Sequence, residues 1–365
     1  MRIATVFGTR PEIIRLSEVI RLLDRHAEHV LVHTGQNFDP LLSDIFFAEL
    51  NIRPPDVHLG VKAAGFAEQA GRIIERGDAE LARVAPDRVL ILGDTNSGLV
   101  ALAAARRRIP VFHMEAGNRC YDDRVPEEVN RRVIDHCSTV LMPYTERSKD
   151  NLVREGIERE RIFVTGNPIR EVLERNESRI ERSDILSRLR FTSRSYAAVT
   201  MHRAENVDEE GRLALLLRGL EQLAERFELP VVVSVHPRTR ERMREFGLEA
   251  RRFTLLDPLG FADFVKLERE ARLVISDSGT VQEECAIFRV PNVTIRDVTE
   301  RPETIECGSN ILSGAEPADL LRAASVALAA GADWEAPPEY LARNVSRTVV
   351  KVILGYTSQR RQTAV

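Results

Sequence analysis

Short β-rich apolar runs alternate with amphipathic stretches along most of this 365-residue chain, and that alternation limits the fold more than any other feature. A chain that repeats strand and helix in this way closes parallel strand pairs through helical crossovers, which leaves helices on both faces of the sheet. Candidate strands in the first half are Ile3–Phe7, Val30–His33, Arg88–Leu92, Val111–His113, Val140–Met142 and Ile162–Thr165. A second series follows at Tyr196–Thr200, Val231–Val235, Phe253–Leu256, Leu273–Ser276 and Asn292–Ile295. Helical patterns separate them at Glu12–His26, Phe66–Ala85, Glu127–His136, Glu209–Arg226 and Val281–Phe288. The charged stretch Pro168–Ser195 has no strand signal and reads as a helical connector. The expectation is an α/β chain of two doubly wound domains, 1–167 and 168–349, with an apolar tail at 350–365 packing back on the first. The length agrees, since single cores stop growing near this size. Ligands in such sheets bind beyond the carboxyl ends of the strands, and two facing domains offer an interdomain cleft.

Composition narrows the class. Hydrophobic residues make up 43% and charged residues 30%, the range of a globular enzyme. A net charge of −4 gives no overall field that would attract nucleic acid or anionic lipid. The four cysteines, Cys120, Cys137, Cys285 and Cys307, have neither CxxC spacing nor a pairing pattern, which points to a reduced cytoplasmic protein without a structural metal. The N-terminal apolar run is too short for a signal peptide, and the longest apolar stretch, Leu99 to Ala105, ends in three arginines. No nucleic-acid or membrane partner is expected.

Polar clusters follow directly on the apolar runs, where a doubly wound sheet puts its ligand. Gly8-Thr-Arg-Pro-Glu12 ends the first strand and opens a helix, so Arg10 and Arg15 stand near amides at a junction that favours anions. Asp94, Glu115 and Glu127 come from three successive polar clusters. Asp94 alone would suit a helix N-cap, but converging carboxylates perturb one another and can divide acid, base and cation-stabilising work. In the second half, Ser278-Gly279-Thr280 opens a helix and suits a diphosphate, and His202-Arg203 follows a strand toward the same anion. The His202/Glu205 spacing could serve a metal but lacks a third ligand.

Taken in order, Gly8-Thr-Arg-Pro-Glu12, Gly93-Asp-Thr95, His113-Met-Glu-Ala-Gly117, Pro126-Glu-Glu-x-Asn-Arg131, His202-Arg-x-Glu-Asn206, Ser276-Asp-Ser-Gly279, Gln282-Glu-Glu284 and Thr299-Glu-Arg-Pro-Glu303 resemble the non-hydrolysing UDP-N-acetylglucosamine 2-epimerases. The resemblance implies two Rossmann-like domains in a GT-B-like arrangement, a homodimer, and interconversion of UDP-GlcNAc and UDP-ManNAc without NAD or metal. Such enzymes expel UDP from C1 as the C2 proton is lost, hold 2-acetamidoglucal, and add UDP back after protonation on the other face. Carried over, Arg10, His202, Ser278, Gly279 and Thr280 would hold the diphosphate, and Glu284 the ribose hydroxyls. Asp94, Glu115 and Glu127 would form the acid/base and cation-stabilising set, with His202 assisting UDP departure. Arg15 and Arg301 would reach substrate, and Phe264 would stack on uracil.

Some positions depart from the commoner pattern. Arg15 replaces a lysine, and Ser278-Gly279-Thr280 replaces Ser-Gly-Gly. Gly35–Asp39 falls in the family's allosteric substrate site. Asn118-Arg-Cys120-Tyr-Asp-Asp-Arg124 resembles the branch acting on UDP-N-acetyl-L-fucosamine precursors or UDP-2,3-diacetamido-glucuronic acid.

Overall fold

The strands are near-continuous apolar runs, and their alternate residues enter different cores, so each sheet must be covered on both faces. In the computed structural model, which describes residues 1–36, 40–63, 65–250 and 252–357 and only the backbone of 40–44, this gives two parallel six-stranded sheets. The first contains β1 (Arg2–Phe7), β2 (Glu28–His33), β3 (Val57–His58), β4 (Arg88–Leu92), β5 (Val111–Met114) and β6 (Val140–Met142). The second contains β7 (Ala197–Thr200), β8 (Val231–Ser234), β9 (Phe253–Leu256), β10 (Leu273–Ser276), β11 (Asn292–Thr294) and β12 (Asn310–Leu312).

The first sheet runs β3-β2-β1-β4-β5-β6 and the second β12-β11-β10-β7-β8-β9. Both are the 3-2-1-4-5-6 order of a Rossmann fold, in which the chain reverses direction between strands one and four. The switch points therefore lie between β1 and β4 and between β7 and β10. Register is set by alternation. Ala197, Val199, Val231, Val233, Leu273 and Ile275 face one core with helices Glu210–Arg226 and Pro317–Ala330. Ala198, Val232 and Val274 face the other, against Val281, Cys285 and Leu267.

The chain divides into two compact units, Met1–Glu174 with the residues from Ala342, and Arg175–Leu341. Helix Val345–Gly355 packs on helix Arg10–His26 of the first unit. Its start is held by Glu171, which accepts from the Ser346 amide (3.0 Å) and hydroxyl. Beyond its end, Arg88 donates to the Tyr356 carbonyl at 2.6 Å. Residues 358–365 of the expected tail lie outside the described residues.

Ten of the eleven candidate strands are present. Ile162–Thr165 is not one: it makes a single bridge, Ile162 to Leu141, because the run is squeezed between a 3-10 turn at Arg159–Arg161 and Gly166 at φ +84°. Edge strands β3 and β12, of two and three residues, are too short to show a period in sequence.

Candidate active site

In the first unit, the turns after β1 and β4 meet at the switch point and are stitched together by one buried carboxylate. Glu12 accepts hydrogen bonds from the Gly8 and Thr9 amides (3.0 and 2.7 Å), the Thr9 hydroxyl (2.7 Å) and the Thr95 hydroxyl (3.1 Å). Burial pushes its carboxyl up to about 7 even against those donors. Gly8 is obligatory on space alone: a Cβ there would lie 2.1 Å from Thr34 Oγ1 and 2.3 Å from Ser97 Oγ. Ser97 belongs to the turn that follows Asp94, and Gln36 Oε1 accepts from its amide and hydroxyl, both at 3.0 Å. Of the Gly35–Asp39 segment, residues 37–39 lie outside the described residues.

Asp94 is aimed by a buried arginine. Arg131 brings Nε and Nη2 to 2.7 Å from Asp94 Oδ2, while its Nη1 donates to Glu128 Oε2 at 2.7 Å. The neighbouring Asn130 donates to the Asp94 carbonyl at 3.0 Å. Burial works against charge on Glu128, but the Cys120 amide and Arg131 outweigh it and hold the carboxyl below its ordinary range. Glu127, half-buried, stands four residues before Arg131 and so on the same helix face.

Glu115 directly follows β5, the neighbour of β4, with φ +64°. A non-glycine residue held in the left-handed region is costly and is retained where the surroundings enforce it. Arg15, 1% exposed, has Nε 4.0 Å from Glu115 Oε2. The adjoining loop is anchored inside the unit: Asp135 meets His113 and Arg119, each at 2.8 Å, and His113 Nε2 donates to the Gly93 carbonyl at 2.8 Å. Arg119 also pairs with Glu155 at 2.6 Å. Arg10, half-buried, lies over the Phe46 ring at 5.8 Å.

The second unit repeats the plan with different chemistry. Asp277, fully buried after β10, accepts from the His202 and Arg203 amides (both 3.0 Å at Oδ2) and from Asn206 (3.1 Å), which ties the turn after β7 to the next switch-point turn. His202 Nδ1 stands 3.3 Å from Asp277 Oδ1, and its ring lies 5.6 Å from that of His236. Helix Gly279–Phe288 begins beside this turn, and the Ser278 and Thr280 hydroxyls are hydrogen-bonded at 3.0 Å. Its first amides have no intrahelical partners and carry the positive end of the helix dipole, a ready site for phosphate.

A charged cage backs that helix start. Glu300 accepts from Arg296 at 2.8 Å and stands 3.6 Å from Arg203 and 3.7 Å from Arg301. Arg301 also donates to Glu283. A Cβ on Gly279 would fall 2.7 Å from Glu300 Oε1 and 3.5 Å from Arg301 Cζ, so only glycine fits without displacement. Phe264 packs against the core cluster that includes Val281 and Cys285, and Glu284 is buried on helix Gly279–Phe288.

The expected residues thus fall into two groups: Arg10, Arg15, Asp94, Glu115 and Glu127 on the first unit, and His202, Phe264, Ser278, Gly279, Thr280, Glu284 and Arg301 on the second. Arg15 is buried near Glu115, and Arg301 is buried beside Glu283 and Glu300. The supporting residues Glu12, Glu128, Arg131, Asp135 and Asp277 were not singled out from sequence. All but Asp135 lie inside the quoted motifs, where an acid or arginine close to a candidate was the available signal. Among the described residues, no group of three His, Cys, Asp or Glu side chains is arranged to hold a metal, and no helix is long and apolar enough to cross a membrane.

Comparison with known proteins agrees with this geometry. The family model for UDP-N-acetylglucosamine 2-epimerase matches residues 21–354. A UDP-N-acetylglucosamine 2-epimerase of Methanocaldococcus jannaschii is 39% identical over 348 residues, covering 92% of this chain and 95% of the relative. A UDP-2,3-diacetamido-2,3-dideoxy-D-glucuronate 2-epimerase of Pseudomonas aeruginosa is 35% identical, covering 90% and 92%. The crystal structure of the M. jannaschii UDP-GlcNAc 2-epimerase in complex with UDP-GlcNAc and UDP is 37% identical, covers 98% of this chain and all of that one, and superposes with a TM-score of 0.92. The chain belongs to the UDP-N-acetylglucosamine 2-epimerase family.

Proposed function

We propose that this chain is a non-hydrolysing nucleotide-sugar 2-epimerase, an isomerase that interconverts UDP-GlcNAc and UDP-ManNAc with no cofactor. The observation that carries the reading is the pairing of two chemistries at equivalent switch points: carboxylates on the first sheet, and an anion-binding helix start with adjacent His202 on the second. One substrate engaging both groups would meet everything the reaction needs.

The C2 proton of such a sugar is not next to a carbonyl and is barely acidic, so direct abstraction is slow. Breaking C1–O as C2–H is lost places cationic character on C1, which Asp94 and Glu115 stabilise while a carboxylate of the set takes the proton. The electron pair of C2–H becomes the C1–C2 double bond of 2-acetamidoglucal, and UDP departs with the C1 oxygen. Ser278, Gly279, Thr280, Arg10 and His202 hold the diphosphate as its charge grows, and Glu284 and Phe264 hold ribose and uracil. Protonation of C2 from the opposite face and return of UDP to C1 complete the inversion.

The sugar follows the relatives named for UDP-GlcNAc. Arg119, the most conspicuous residue of the segment resembling the diacetamido-glucuronate branch, is engaged by Asp135 and Glu155, so it is not the partner of a sugar carboxylate. On the same reading the protein works as a cytoplasmic homodimer in polysaccharide biosynthesis. Incubation with a panel of UDP-HexNAc substrates, including the diacetamido-glucuronate, is expected to yield the C2 epimer of UDP-GlcNAc by NMR. Release of free ManNAc with UDP, or UDP release only with an acceptor, would contradict it in favour of a hydrolase or a glycosyltransferase.

A further inference from the structure

Helix Phe261–Arg269 carries Phe264 and Glu268 four residues apart, and therefore on one face. That face turns to helix Gly279–Phe288: Phe264 packs against the core cluster that includes Val281 and Cys285, while Glu268 reaches Cys285 and Glu284. Glu268 is 1% exposed. Its Oε1 accepts from the Cys285 thiol at 3.2 Å, and its Oε2 is buried and accepts from no donor among the described residues. The Glu284 carboxyl, itself 6% exposed, is hydrogen-bonded to Glu268.

Two carboxyls can hydrogen-bond only if one brings a proton. Burial and the adjacent Glu284 push the Glu268 carboxyl well above the ordinary range. Burial and both glutamates also push the Cys285 thiol up against the opposing field of Arg194, so it adds no charge.

We propose that Glu268 is a positioning residue for nucleotide binding: its carboxylic acid donates to one oxygen of Glu284 and so fixes the other toward the ribose diol. One helix then supplies both the ring expected against uracil and the donor that aims the ribose-binding carboxylate. The inference rests on the nucleotide-sugar reading of Glu284 given above.

The test is calorimetric titration of the full chain with UDP and with 2′-deoxy-UDP. Wild type is expected to prefer UDP about tenfold, the scale of one charge-assisted hydrogen bond. Glu268→Gln, whose amide still donates to Glu284, keeps that preference within about threefold. Glu268→Met, of similar size but without a donor, loses it by weakening UDP and leaving 2′-deoxy-UDP unchanged. In a Glu284→Gln background, Glu268→Met has no further effect on the ratio, because the two residues act as a unit. An unchanged ratio in Glu268→Met, equal weakening of both ligands, or additive effects in the double variant would overturn the inference while leaving the function intact. Should Glu268→Met not fold, Glu268→Gln decides: loss of the UDP preference in a folded Gln variant also overturns it. Absence of UDP binding by wild type would instead overturn the nucleotide-sugar reading.

Discussion

Replacing Arg131 by lysine keeps one positive charge and removes the fork that aims Asp94. Arg131 is 2% exposed, with two nitrogens at 2.7 Å from Asp94 Oδ2 and a third at 2.7 Å from Glu128 Oε2. A lysine ammonium is a single point and cannot hold both carboxylates in that geometry. Glu128 keeps the Cys120 and Tyr121 amides at 3.1 and 3.0 Å, so the lost contacts fall mainly on Asp94. A charge-assisted hydrogen bond contributes about 1.5–3 kcal/mol, and Asp94 recovers part of that from water, so the expected stability loss is about 2 kcal/mol. The catalytic effect is larger, because a carboxylate displaced by about 1 Å loses on the order of a hundredfold in rate. The assay combines urea unfolding, steady-state epimerisation and UDP titration. Arg131→Lys is expected to unfold at lower urea, to lose about a hundredfold in kcat and to bind UDP within about twofold of wild type. Wild-type kcat at reduced stability would refute the aiming role, and collapse of UDP affinity would refute the assignment of the nucleotide to the second unit.

Asp94→Asn and Glu115→Gln should each abolish turnover while UDP affinity stays near wild type; loss of UDP binding in both would make these acids structural. Gly279→Ala puts a methyl group 2.7 Å from Glu300 Oε1, on a carboxylate whose Oε2 Arg296 holds at 2.8 Å, and is expected to weaken UDP binding at least tenfold although alanine favours helix; calorimetry showing unchanged affinity would contradict the phosphate site. Glu12 is raised from 4.5 to about 7, so its contribution to stability is full below pH 4.5 and is lost as pH rises through 7, on the order of 3 kcal/mol. Urea unfolding across that range should show the decline in wild type and a flat profile in Glu12→Gln; equal slopes would refute the buried, titrating Glu12.

The chain's architecture was legible because buried parallel strands are apolar on both sides and their ends carry the polar turns. Even so, β3 and β12 escaped, since two or three residues set no period, and Ile162–Thr165 misled because apolar character alone does not supply a pairing edge. Asp94, Glu115, His202 and Ser278 were conspicuous by their place just after strands. Those that hold such residues in place were not: Arg131 and Asp277 act through partners far along the chain, and tertiary pairing leaves no local signature, whereas Glu12 closes a local Thr9-x-x-Glu12 capping box and reaches across the fold through its bond from Thr95. The left-handed backbone of Glu115 is equally silent in sequence, although it marks that residue more strongly than its charge does.

The most direct test of the central claim is epimerisation of UDP-GlcNAc in D2O, with recovered UDP-sugars read by NMR at C2. Elimination and re-addition predict solvent deuterium at C2 of the epimerised product, with the C2 proton of the substrate lost to a protein carboxylate and exchanged. Full epimerisation with the original C2 proton retained would contradict the account.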